Sequence, residues 1–199
     1  MNALIMFVVT TLSIILFSIG GENISSDVYA GILWIVIFFA TMSGLSRAFV
    51  SEEERGTVMT LQLIAKPLTV YYGKLLFNLL LLVMINSITI VLYLLLISNF
   101  VIQNYAIFTV TMLLGTLGLA SSSTILAALI AKANAKGTLY PVISFPIMLP
   151  LLLTTIRATQ LAAAESAFLD ALQDFQVMVS YVVVLNVLPF LVFDFIWCD

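Results

Sequence analysis

LLFNLLLLVMINSITIVLYLLLI, residues 75–97, decides which solvent this chain folds in. It contains no charged residue. The hydrocarbon core of a bilayer, about 30 Å thick, is crossed by roughly 20 helical residues. A half-buried strand would alternate apolar and polar positions, and this run is too long and too uniform for that. The whole chain has the same character: 63% of its 199 residues are hydrophobic and 9% are charged. A soluble domain carries about a quarter charged residues. So small a core cannot hide this apolar surplus, so the expected surrounding is lipid.

Six runs in the sequence suit a membrane helix: Ala3 to Ile19, Val28 to Ser46, Leu75 to Ile97, Tyr105 to Ala131, Leu139 to Ile156 and Val177 to Trp197. The reading is all-α, a single transmembrane domain over residues 1–199 with no soluble domain attached. The first run has no positively charged lead and no clear cleavage motif, so it is not read as a secretory signal.

The seven basic residues set the orientation. Arg47, Arg55, Lys66 and Lys74 lie between spans two and three, and Lys132 and Lys136 between spans four and five. Arg157 alone falls in another loop. The loops at 20–27, 98–104 and 157–176 carry Glu22, Asp27, Glu165, Asp170 and Asp174. Lys and Arg stay on the cytoplasmic side, which predicts both termini inside.

The largest cytoplasmic loop contains SEEERGTVMTLQLIAKP, residues 51–67. Ser51 and Glu54 fit a capping box. Glu52, Glu53 and Glu54 fall in a first helical turn, where the backbone dipole favours anions. Val58, Leu61 and Ile64 recur every third residue with Leu63 nearby, giving a short amphipathic helix. Pro67 stops it, because the residue before a proline leaves helical geometry. One reading is a helix lying on the membrane surface; the acidic cluster argues against attraction to anionic lipid.

Glu54, Gly56, Leu61, Leu63, Pro67 and Lys74 together resemble the first cytoplasmic loop of type 2 ABC export permeases. That resemblance implies a coupling helix over Glu52 to Ala65 that docks into a separate cytosolic ATPase, with Ser51, Glu52, Glu53, Glu54, Gly56, Leu61, Leu63 and Pro67 as docking residues. VYAGILWIVIFFATMSGLSRAF (28–49) and LYPVISFPIMLPLLLTTIRAT (139–159) narrow it: over residues 28 to 197 the chain resembles the haem exporter protein B family (CcmB) of cytochrome c biogenesis. The resemblance implies the type 2 exporter permease fold in a bacterial inner membrane. It also implies a homodimer of permease subunits, an ATPase partner, other cytochrome c maturation membrane proteins, and haem as possible substrate with no covalently bound cofactor. Family members open with a cytoplasmic amphipathic segment, whereas here span one starts at Ala3.

Pro141, Pro146 and Pro150 interrupt span five. Each removes a backbone hydrogen bond, which reads either as kinks tolerated by packing or as a broken helix lining a path. Leu161, Phe168, Leu172 and Phe175 recur at helical spacing and predict an amphipathic helix at the outer face, a surface helix or an outer gate. The resemblance favours the gate. Arg157 reads as a headgroup anchor or as a ligand for propionate or phosphate. Asp194, near the end of span six, is expected to reach water or pair with a cytoplasmic Lys. Asn78 and Asn86 share a face of span three and predict interhelical hydrogen bonds; Gly115, Gly118 and Ser122 give span four a small-residue face.

Absences limit the chemistry. The sequence has no GxxxxGK[ST] phosphate loop, so ATP hydrolysis belongs to another chain. It has no histidine and one cysteine, Cys198. That excludes an internal disulfide and a His-ligated haem or metal. Its net charge of −3 gives no reason to expect nucleic acid. The alternatives are a type 2 permease for a lipid, drug or polysaccharide, and a membrane scaffold or secondary transporter without an ATPase.

Overall fold

The computed structural model describes residues 2–20, 24–45, 61, 63–132, 139–164 and 166–198. Six long α-helices are described: α1 (Asn2–Ile19), α2 (Ser26–Leu45), α3 (Pro67–Leu96), α4 (Tyr105–Lys132), α5 (Leu139–Ala163) and α6 (Leu172–Cys198), with a 3-10 turn at Phe168–Ala171 before α6. No strand occurs among the described residues. Five helices, α2 to α6, are long and apolar enough to cross a bilayer; the apolar run of α1, Ala3–Ile19, is shorter. Gly20, at φ 59°, ends α1 in the left-handed conformation that glycine adopts without strain.

Three expected boundaries move. Span three begins at Pro67 rather than Leu75. Lys74 lies inside the helix, since a long basic side chain can extend along apolar surface and keep its charge in water. Lys66 is extended at φ −65° and ψ 145°, and Pro67 opens α3, where its missing N–H costs nothing. Span five runs on to Ala163 rather than ending at Ile156, so Arg157 sits on a helix and not in a loop. Among the described residues the separate amphipathic helix expected around residues 161–175 is absent: Leu161 lies in the last turn of α5, Phe168 in the 3-10 turn, and Leu172 and Phe175 begin α6. Asp170 explains the turn, its carboxylate accepting from Ala167 N–H at 3.0 Å.

Helix α4 is the axis. It packs against α2, α3, α5 and α6, whereas α1 packs mainly on α2 and α3 among the described residues. In lipid, helices gain little from hiding apolar surface from one another, and close approach of backbones and interhelical hydrogen bonds hold them together. The sequence of α4 provides both. A Cβ on Gly115 would stand 2.2 Å from Trp34 Cη2 of α2, and one on Gly118 would stand 2.6 Å from Leu151 Cδ2 of α5. The small-residue face expected from Gly115 and Gly118 is therefore the seat of two neighbouring helices.

Hydrogen bonds complete the bundle. Asn78 Nδ2 donates to Thr124 Oγ1 and Asn86 Nδ2 to Thr116 Oγ1, both at 2.9 Å, joining α3 to α4 as their shared face predicts. Asn186 Nδ2 of α6 donates to Ser121 Oγ of α4 at 2.9 Å. Trp34 Nε1 donates to Thr159 Oγ1 at 2.8 Å, tying α2 to α5. Each such bond contributes roughly 0.6 kcal/mol in a membrane protein, so the steric fit around α4 dominates.

Gly115→Ala is expected to lower unfolding stability by about 1–3 kcal/mol, because the fully buried Trp34 ring has nowhere to move. Gly73→Ala, where the added methyl meets nothing within 4 Å, leaves stability unchanged or slightly raised. Reversible denaturation in mixed detergent micelles compares the two.

Candidate functional site

Apart from the prolines of α5, the described sequence-derived candidates fall at two opposite ends of the bundle. α3 has 30 residues, about 45 Å at 1.5 Å per residue. Leu61, Leu63, Lys66 and Pro67 lie at its start. Its far end leads into the 97–104 connection, which is bonded to the end of α5.

At the first end, Ala65 N–H donates to Leu61 O at 3.0 Å, closing a helical turn just before the break at Lys66 and Pro67. Leu61 is half-buried and packs on the core, while Leu63 is 89% exposed and Ile64 78% exposed. This end thus offers two bare apolar side chains beside Lys66. Ser51, Glu52, Glu53, Glu54 and Gly56 lie outside the described residues. Deeper at this end, Tyr71 and Phe193 rings pack at 5.0 Å, joining α3 to α6.

The second end is closed by the 97–104 connection, which is packed like core. Ile97, Phe100 and Ile102 are buried. Phe100 stacks near Tyr93 and Tyr29 at 5.7 and 6.4 Å. Tyr93 O–H donates to Tyr29 O at 2.7 Å. Asn104 links three elements. Its Oδ1 accepts from Ala106 and Ile107 N–H and caps α4. Its Nδ2 donates to Ser166 O at 3.1 Å. Its own N–H and that of Gln103 both donate to Ala162 O at the end of α5. Gln160 Nε2 donates to Asp27 O at 3.3 Å, so α2 joins the same cluster.

Arg157, Phe168 and Phe175 lie at this end. Phe168 and Phe175 rings lie 5.4 Å apart. Arg157 Nε lies 3.6 Å from Asp174 Oδ2 of α6. Most of the Arg157 side chain stays exposed beside this partner. The prolines are elsewhere: Pro146 and Pro150 are exposed on the outward side of α5, and Pro141 stands in its first turn near the opposite end. Tyr181 O–H of α6 donates to Ile147 O at 3.1 Å, between those two prolines. Sequence reading missed Asn104 and Trp34 as structural centres and Asp174 as a partner. An Asn directly before an apolar helix was the one available signal for the cap.

A bundle of apolar helices with a hydrogen-bonded interior, a basic end and an acidic end is a multi-pass membrane protein. Compared with protein families, residues 1–194 match the CcmB protein family, and the chain belongs to it. It is accordingly a transmembrane permease component of haem transport and cytochrome c biogenesis in a bacterial inner membrane. No match was found among curated proteins or among solved structures.

Asn104→Ala removes the cap and the tie to Ser166, while Asn104→Asp keeps the acceptor and loses only the tie. Loss of a cap costs about 0.5–2 kcal/mol. Hydrogen exchange should therefore accelerate at residues 105–108 in Asn104→Ala alone, and near residue 166 in both variants.

Proposed function

We propose that this chain is the membrane subunit of an ATP-driven exporter that handles haem for c-type cytochrome maturation, powered by a separate cytosolic ATPase. Two copies form the pathway and two ATPase subunits bind below. Six spans put both termini in the cytoplasm, with α1 as the shortest crossing. Residues 51–67 are the coupling element. The type 2 exporter fold and contact with other cytochrome c maturation proteins follow from the same reading.

Family membership carries the proposal, and one feature of the chain supports the mechanism. The exposed Leu63 and Ile64 stand immediately before a single unbroken helix of 30 residues. Movement imposed on the segment before Pro67 is transmitted along α3 as a rod. α3 is bonded to α4 through Asn78 and Asn86, and α4 passes the displacement to α5 and α6 at the far end. Phe168, Phe175 and Arg157 form the outer gate in this reading, and Pro141, Pro146 and Pro150 make α5 the compliant helix beside it. The absence of histidine in the sequence means that haem, if it crosses, is not held by imidazole.

Purification from the native membrane tests the reading. A P-loop ATPase should co-purify with the chain, and Glu54→Ala combined with Gly56→Leu should remove it while the permease still inserts. Deleting the gene should abolish covalent haem on periplasmic c-type cytochromes. An ATPase partner with unchanged cytochromes points instead to another exported substrate such as a lipid, drug or polysaccharide. A chain that purifies alone, unaffected by the substitutions, contradicts the exporter reading.

A further inference from the structure

The Arg157–Asp174 pair is unequal. The Arg157 side chain is 63% exposed, and that of Asp174 is 6% exposed. Their separation is 3.6 Å, longer than a charge-assisted hydrogen bond. Asp174 Oδ2 is buried and accepts no hydrogen bond among the described residues. One carboxylate oxygen has thus given up water and received one loose, solvent-screened partner.

The two contributions differ in size. An ion pair with a solvated arginine contributes little, whereas taking a carboxylate oxygen out of water carries the larger cost. The first turn of α6, where Asp174 stands, offsets part of that through the helix dipole. The remainder favours any arrangement in which α5 and α6 part and Asp174 meets water. Opposing it are the bonds from Asn104 and Gln103 to Ala162 O and Ser166 O, and the packing of Phe168 on Phe175.

We infer that Arg157 and Asp174 form a two-state latch between the ends of α5 and α6: the guanidinium holds it shut, and hydration of the buried carboxylate drives it open. This deepens the outer-gate reading above and rests on it for its purpose, but the latch itself needs neither ATPase nor haem. A small displacement of α5 against α6 admits water to a group that was short of it, and packed helix ends shift between discrete arrangements rather than deforming continuously. A pair that merely braced two helices would have both members contributing in the same direction. Here the members contribute in opposite directions, which separates the two cases.

The experiment uses the full chain in lipid nanodiscs with Cys198→Ser and a single reporter, Ala171→Cys. Ala171 is fully buried beside the latch in the 3-10 turn. The rate of labelling by a water-soluble maleimide reads the open population. Arg157→Gln leaves the buried carboxylate oxygen without a partner and should raise that rate by up to about fivefold. Asp174→Asn removes the charge that seeks water and should leave the rate at or below the parent's. The double variant should match Asp174→Asn, and Arg157→Lys should stay near the parent. Helix content and a monodisperse elution profile confirm that each variant is folded. Equal acceleration by Arg157→Gln and Asp174→Asn, or no change in either, overturns the latch. Loss of ATPase binding elsewhere would sink the exporter proposal without touching these rates.

Discussion

The contact between Gly115 and the Trp34 ring sets the geometry of everything around it. In hydrocarbon, a helix bundle is not squeezed together by water, so it must be held by fit. The indole lies where a side chain on residue 115 would be. Its N–H reaches past α4 to Thr159 of α5. One tryptophan therefore fixes α2, α4 and α5 relative to one another. Gly118 repeats the arrangement one turn along against Leu151. With those helices set, the asparagines of α3 and α6 find hydroxyls on the other sides of α4.

The same constraint explains where polar residues occur in so apolar a chain. A polar side chain inside a bilayer needs a partner from the protein itself. Most of the buried threonines and serines bond back to a carbonyl of their own helix, as Thr41, Thr89, Thr111 and Ser122 do. The asparagines look outward from their helices and make the ties. Tyr71 Oη, Asn86 Oδ1, Ser144 Oγ and Asp174 Oδ2 are buried without a hydrogen bond among the described residues, and of these Asp174 alone is a carboxylate, with Arg157 at 3.6 Å. A fold that satisfies nearly all its interior polar groups has placed its poorest bargain at the end where the chain reverses between α5 and α6.

The helices were legible because their apolar runs exceed what a soluble core or a strand can use. The small face of α4 and the paired asparagines of α3 were legible too, since spacing along one helix determines which residues share a side. Lys74 and Arg157 misled the boundaries. Charge suggested an end, but each lies within a helix that runs past it, α3 starting at Pro67 and α5 closing at Ala163. Leu161, Phe168, Leu172 and Phe175 suggested one helix; the end of α5 at Ala163 and the 3-10 turn at Phe168–Ala171 divide them between α5, that turn and α6. Trp34, Asn104 and Asp174 were not legible as a set, because their partners lie 17 to 125 residues away or on backbone atoms that no local pattern predicts.

Work at one end reaches the other only if α3, α4 and α5 each cross the bilayer, so that the exposed segment before Pro67 and the turn after Ala163 face opposite compartments. Thiol labelling on sealed vesicles measures this directly. In a Cys198→Ser background, Leu63→Cys should react with a membrane-impermeant maleimide only in inverted vesicles. Ala167→Cys should react only in right-side-out ones. Labelling of both positions from the same side would contradict the arrangement and, with it, the path by which work at one end reaches the other.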